Sequence, residues 1–291
     1  MLTTALISGL VLGGTYALVA MGLTLQYGIS RIMNLAYGEV TIFAAFSAFL
    51  LFSTFGINPL MGMLVVLPGA FAFGYLIYGV MMQPLVKRSS KTGTLEVDSI
   101  LATFGLLFVI QGVMLVTFGS NYTSYNYLNF GIDILGANIA ANRLLAFVLA
   151  IVIGGALFFV LTCTRWGTTI RAIAVAPKSA PLVGINVNRT ARFAFALGTM
   201  LAASGGVMIS MYQTFNASMG VVFTMKALVI VIMGGLGNLM GALVAGLLLG
   251  LVETFVATYV DPGLTLASTY LIFLVVLLWK PSGLFGKATG R

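Results

Sequence analysis

Histidine is absent from all 291 residues, and Cys163 is the single cysteine. Without histidine there is no imidazole proton relay, no histidine-ligated haem and no histidine zinc site. Without a second thiol there is no internal disulfide and no cysteine metal cluster. Charge is scarce too: 7% of residues are charged, where a soluble domain carries about one quarter. Water cannot cover a surface so poor in polar groups, so lipid covers it. The phosphate-binding pattern G-x-x-x-x-G-K-[ST] is missing, and "GLFGK" near the C-terminus has the wrong spacing for it. With no C-x-x-C and no His for a triad, the chain reads as a non-catalytic protein that holds no metal or cofactor.

What is present is hydrophobic: 60% of the residues, with a mean hydropathy of +1.11. Apolar runs of about 20 residues recur along the chain, each long enough to span the hydrocarbon as a helix. The expected spans are roughly 3–27, 33–54, 60–83, 98–118, 142–162, 192–213, 239–259 and 264–280, with a shorter helix at about 224–236. The expected fold is an all-α integral membrane protein, a polytopic bundle of about 8–9 transmembrane helices, with residues 1–291 forming a single domain. The first apolar run lacks a basic leader and continues to about Tyr27, which fits a first span better than a cleaved signal peptide.

The formal net charge is +8. The cations lie between spans, which is the pattern of topology and not of nucleic-acid binding. One set of loops holds Arg31, Lys87, Arg88, Lys91, Arg165, Arg171, Lys178, Arg189, Arg192, Lys280, Lys287 and Arg291, and only Arg143 and Lys226 of the 14 fall opposite. The positive-inside rule puts the first set in the cytoplasm, the N-terminus outside and the C-terminus inside. That parity needs an odd number of crossings, and the short helix at 224–236 is its weak point: too short to cross alone, it reads alternatively as a re-entrant segment, which is tolerated only where protein buries it. The long outer loop at 119–141 is expected to be a connector or a short amphipathic lid.

Glycine is abundant, at 35 residues, and falls in small-xxx-small order at Gly9/Gly13, Gly237/Gly241/Ala245 and Gly246/Gly250. In lipid, helices associate by close backbone approach, so these positions read as packing faces. A faint internal echo links "YGISRIMNLAYGEV" with "MGGLGNLMGALV", each a short turn between two spans.

Three polar residues lie inside expected spans. Glu39 in "MNLAYGEV" sits about 9 Å into the second helix at 1.5 Å per residue, with Arg31 two turns earlier as a possible partner. An ionised acid there is unfavourable by up to a few kcal/mol unless paired or facing water. Gln111 suits an interhelical hydrogen bond. Glu253 lies toward the outer end, within reach of Lys226 or of a pathway mouth.

Between two spans runs "RAIAVAPKSAPLVGINVNR", from Arg171 to Arg189, basic and without an acid. Pro177 suits the first turn of a helix, and Gly184 suits its close with Ile185 packing behind. The expectation is a helix of about two turns on the cytoplasmic face, small on one side, against which another protein docks.

These residues carry a family resemblance. The segment resembles the cytoplasmic coupling segment of the branched-chain amino-acid ABC transporter permeases, at Arg171, Ala172, Ala174, Pro177, Ala180, Gly184, Ile185 and Asn186. "GLVLGGTYALVAMGLTLQYGISRIMNLAYGEV", with Asn34, Gly38 and Glu39, is similar to the N-terminal signature of that family. "KALVIVIMGGLGNLMGALVAGLLLGLVE" and "KPSGLFG" are similar to its C-terminal part. The likeness covers nearly the whole chain, and its length resembles the shorter of the two paired permeases. Two positions depart: Lys178 stands where relatives often have an acid, and Tyr37 where they often have His.

The resemblance implies a permease of a bacterial inner-membrane importer working by alternating access. Its implied partners are a second permease, two ATPases that use ATP and Mg, an external binding protein, and membrane lipid. Residues 165–191 would couple to the ATPases, Lys178 included, with Asn34, Tyr37, Glu39, Gln111 and Glu253 as candidates for the path. The solute stays open among branched-chain or other hydrophobic amino acids, amides, urea and aromatic acids. The competing class is an ion-driven secondary carrier using Glu39 or Glu253. A water-type channel is weaker, since "NP" occurs once, at Asn58–Pro59.

Overall fold

The computed structural model describes residues 2–88, 92–134, 137–177 and 179–286. Lys91, Lys178, Lys287 and Arg291 lie outside them. Eleven α-helices occur among the described residues: α1 (Leu2–Ser30), α2 (Tyr37–Phe55), α3 (Pro59–Ile77), α4 (Gln83–Arg88), α5 (Thr92–Phe118), α6 (Ala141–Cys163), α7 (Arg165–Val175), α8 (Val187–Tyr212), α9 (Gly220–Gly234), α10 (Leu239–Tyr259) and α11 (Thr265–Trp279). A π-helical turn at Tyr78–Met82 joins α3 to α4 in one continuous rod, Pro59–Arg88. Among the described residues, eight helical segments are long and apolar enough to cross a membrane. α9, at 15 residues, spans about 22 Å and falls short of a hydrocarbon core of about 30 Å.

Local chemistry sets the ends. Asn58 caps α3 by accepting from the Leu60 N–H at 3.2 Å, with Pro59 in the first turn. The "NP" pair is therefore a helix start. Asn186 and Asn238 do the same for α8 and α10, accepting from Arg189 and Gly241. The π turn sits beside Arg192, whose Nε donates to the Tyr75 carbonyl at 2.9 Å and whose guanidinium lies 3.7 Å from the Tyr75 ring centroid. A side chain entering the carbonyl ladder in this way is a common cause of local helix irregularity.

α8 forms the centre, buried almost continuously from Ala194 to Met211. α1, α2 and α3 surround it, α1 also packs closely on α10, and α11 lies at the periphery. The glycine faces explain the α1–α10 approach: a Cβ on Gly250 would overlap the Gly13 backbone, and one on Gly246 would overlap Ala17. Contacts of Gln26 with Phe195 and of Tyr212 with Thr15 set α1 and α8 antiparallel. Helix direction then gathers Arg31, Arg88, Arg165 and Arg189 at one end of the bundle and leaves Arg143 at the other.

Expected boundaries shift in informative ways. α5 begins at Thr92 and not near 98, taking Glu96 and Asp98 into its first turns. The 119–141 loop, expected as a connector or a short amphipathic lid, carries an antiparallel hairpin, Gly131–Ile134 with Ala137–Ala140. Gly28 at the end of α1 lies against Gly237 in the α9–α10 turn, so the two turns are neighbours in the bundle.

Candidate functional site

The largest departure from the sequence reading is between α1 and α2. Helix was expected from about residue 33, but residues 31–36 are not helical, and Ile32, Asn34 and Ala36 are buried. The segment folds back into the bundle, so α2 starts inside it. Tyr37, the first residue of α2, reaches with its hydroxyl to the carbonyls of Val19 (2.8 Å) and Gly198 (3.0 Å), both mid-helix positions of α1 and α8.

Non-helical backbone at this depth needs protein partners for its polar groups, and neighbouring hydroxyls supply them. The Met33 N–H donates to Ser99 (3.3 Å), and the Leu35 N–H donates to Thr103 (3.1 Å), whose own hydroxyl lies 3.2 Å from the Met33 carbonyl. Thr224 on α9 lies 3.0 Å from the Leu35 carbonyl and accepts from Gly38 N–H at 2.8 Å. Asn34 accepts from Ala36 N–H and donates to Gln26, which in turn donates to the Phe195 carbonyl and to Thr199. Gln26, Ser99, Thr103, Thr199 and Thr224 were not singled out in the sequence. The i, i+4 spacing of Ser99 and Thr103 on an apolar helix is the signal that marks such a face.

Glu39 is the third residue of α2, in its first turn, fully buried because the whole turn is inside the bundle. Its carboxyl lies against Gly220, the first residue of α9, and a side chain on Gly220 would collide with it. The positive ends of two helix dipoles thus face one carboxyl. Neither of its oxygens has a hydrogen-bond partner among the described residues. The expected approach of Arg31 does not occur: the two-turn spacing fails once 31–36 leave the helix. Arg31 instead lies over Tyr27, 5.6 Å from the ring centroid, where the Tyr27 hydroxyl donates to Glu96 at 3.0 Å.

Glu253 meets Lys226, as its reach suggested. Lys226 Nζ lies 2.6 Å from Glu253 Oε1, with the two side chains only 10% and 12% exposed. Tyr16 completes the group, its hydroxyl accepting from Lys226 at 2.7 Å and donating to Glu253 at 3.3 Å. Gln111 stands apart, half-exposed on α5.

The basic segment is built differently from the expected single helix. α7 runs through Arg171, Ala172 and Ala174 and ends at Val175, ahead of Pro177. Ala176 precedes a proline and adopts φ −139°, ψ 71°, outside the helical region such residues avoid. Pro177 therefore follows a helix end and does not start a helix. The turn that follows is a short 3₁₀ helix, Ala180–Val183, with Pro181 in its first turn. Gly184 closes it at φ 80°, its N–H near the carbonyls of Ala180 and Pro181, a left-handed conformation that glycine adopts freely. Ala180 is buried and Ile185 half-buried, while Asn186 is occupied as the α8 cap. Val175, Leu182 and Val183 are 86%, 87% and 74% exposed. These exposed apolar side chains belong to the segment that also carries Arg171 and Arg189. Lys178 falls outside the described residues.

Comparison with known proteins agrees with this architecture. A family described as "Branched-chain amino acid transport system / permease component" matches residues 5–279. The high-affinity branched-chain amino acid transport system permease protein LivH of Escherichia coli (strain K12) is 29% identical, over 96% of this chain and 94% of its own length. The corresponding protein BraD of Pseudomonas aeruginosa is also 29% identical, over 97% and 95%. Among solved structures, PsaBC from Streptococcus pneumoniae in complex with Fab superposes with a TM-score of 0.52 at 14% identity, covering 98% of this chain and 93% of that one, a likeness of fold. By sequence and by its helical bundle, the chain belongs to the permease-component family of branched-chain amino acid transport systems.

Proposed function

We propose that this chain is the membrane-spanning permease subunit of a bacterial ABC importer for branched-chain or similar hydrophobic amino acids. The observation that carries the reading is the exposed apolar turn Leu182–Val183, held by α7 and by the capped start of α8 at the end of the bundle where the cations gather. On this reading the bundle is one domain, residues 165–191 face the cytoplasm in the inner membrane, and the N-terminus is outside. Two separate ATPases use ATP and Mg beneath it, and this chain needs no cofactor of its own. A second permease of the same family pairs with it, and an external binding protein delivers the solute.

Closure of the ATPases moves the 165–191 segment as a unit. α7 continues from α6 after one residue, and Val187 begins α8, so displacement passes into both helices. α8 contacts the start of α2 through Tyr37, so the movement reaches the buried break and Glu39. Asn34 and Tyr37 hold that break, and Glu39 is the group whose surroundings change when it opens. Glu253 belongs to a separate polar group near the outer end, and Gln111 is available to a partner subunit from the α5 surface.

The test is uptake of radiolabelled leucine, isoleucine and valine by cells with and without this gene, at native expression. Lost ATP-dependent uptake in the deletion supports the reading. Uptake by the purified chain alone, driven by an ion gradient and abolished by Glu39→Gln, supports the secondary carrier instead.

A further inference from the structure

At the end of the bundle opposite the basic segment, α1, α6, α8, α10 and α11 line an open cavity of about 310 Å³. Its size falls at the lower limit of small-molecule sites. Its walls are polar for a membrane protein: Tyr16, Arg143, Tyr212, Gln213 and Glu253 all line it. Glu253 is unevenly satisfied. Oε1 receives both Lys226 and the Tyr16 hydroxyl, whereas Oε2 is buried and has no partner among the described residues. A buried acceptor without a donor is unfavourable and calls for an explanation. Arg143 is exposed at the rim and makes no ion pair among the described residues. Among the described residues, the cavity is thus lined by a guanidinium with no ion pair and by Glu253, whose buried Oε2 lacks a donor.

We propose that this cavity is a binding site for a small zwitterion, its oxyanion held by Arg143 and its ammonium donating to Glu253. The Lys226–Glu253 pair is electrically neutral, so Arg143 leaves the cavity one net positive charge, and the guanidinium fork selects an oxyanion. A simple anion leaves Glu253 Oε2 without a donor. A simple amine leaves Arg143 unpaired and adds a second positive charge. A molecule bearing both groups satisfies both ends. Two sources share that chemistry, a free amino acid and the headgroup of phosphatidylethanolamine; the first rests on the amino-acid reading above.

The experiment places Ser8→Cys on the cavity wall in a Cys163→Ser background. The full-length chain, with its co-purifying subunits, is reconstituted in phosphatidylglycerol vesicles and treated with a charged thiol reagent. L-leucine at roughly ten times its Kd slows labelling about tenfold, while 4-methylpentanoate and isoamylamine, each carrying one of the two charges, do not. Arg143→Gln abolishes that protection, and so does Glu253→Gln, which keeps the shape of the side chain and an oxygen for Lys226. Protection by added phosphatidylethanolamine without leucine, lost in the same variants, assigns the site to the lipid headgroup. Labelling indifferent to both leucine and phosphatidylethanolamine overturns the proposal, as does equal protection by acetamide or retained protection in both variants. The two readings fail separately. Leucine import with indifferent labelling removes only this site, and absence of leucine import removes the amino-acid reading whatever the labelling shows.

Discussion

Lys226 in α9 and Glu253 in α10 meet at 2.6 Å, almost fully enclosed, with the Tyr16 hydroxyl of α1 bridging them. Removing one member leaves the other as a buried charge without compensation, a loss of about 3–5 kcal/mol, whereas removing both is much less harmful. Lys226→Met is therefore expected to lower the thermal denaturation midpoint in detergent sharply, and Lys226→Met combined with Glu253→Gln to recover most of it. A thermodynamic cycle over Lys226→Met, Glu253→Gln and the double variant checks this. Additive single effects contradict the coupling.

Among the side chains that hold the buried break, the Thr224 hydroxyl reaches both sides of it. Thr224→Val removes the group that serves the Leu35 carbonyl and the Gly38 N–H. The expected loss is about 1–3 kcal/mol, with faster hydrogen exchange at the Gly38 amide. Thr224→Ser retains both. Exchange at Gly38 unchanged in Thr224→Val rules out this role for the hydroxyl.

These two features differ in how legible they were. Lys226 and Glu253 stand out in the sequence as a cation and an acid on adjacent apolar helices, so their meeting was open to inference. The break was not. Residues 32–36 are mostly apolar and contain neither proline nor glycine, so periodicity extends the helix through them. What stops it is tertiary, the hydroxyls of Ser99, Thr103 and Thr224, which lie far away in sequence. The spans were readable because lipid enforces length and hydrophobicity. The basic segment is half readable: Gly184 closes a helix as the sequence implies, but the proline in the first turn of that helix is Pro181 and not Pro177.

Orientation is open to a direct check. Cys163 is exposed at the end of α6 nearest the basic segment. In right-side-out vesicles a membrane-impermeant maleimide is expected to leave it unlabelled, and permeabilisation to expose it. Labelling in intact vesicles reverses the assigned topology.

The exposed turn makes a surface prediction. Leu182→Asp with Val183→Asp alters two side chains that pack little within the chain. The variant is expected to insert and to elute as a single species, as surface changes usually perturb stability by less than about 0.5 kcal/mol. Solute uptake, in contrast, is expected to fall about tenfold or more, since loss of a buried interface anchor of about 1.4 kcal/mol or more has that effect. Unchanged uptake places the ATPase contact elsewhere.

The most direct measurement is a mild-detergent purification of the tagged chain from its native host, followed by an ATPase assay on the eluate. The account predicts co-purified ATP hydrolysis that is lost when residues 180–184 are deleted. A clean single-component eluate without ATPase activity, still competent for solute uptake in vesicles, contradicts it.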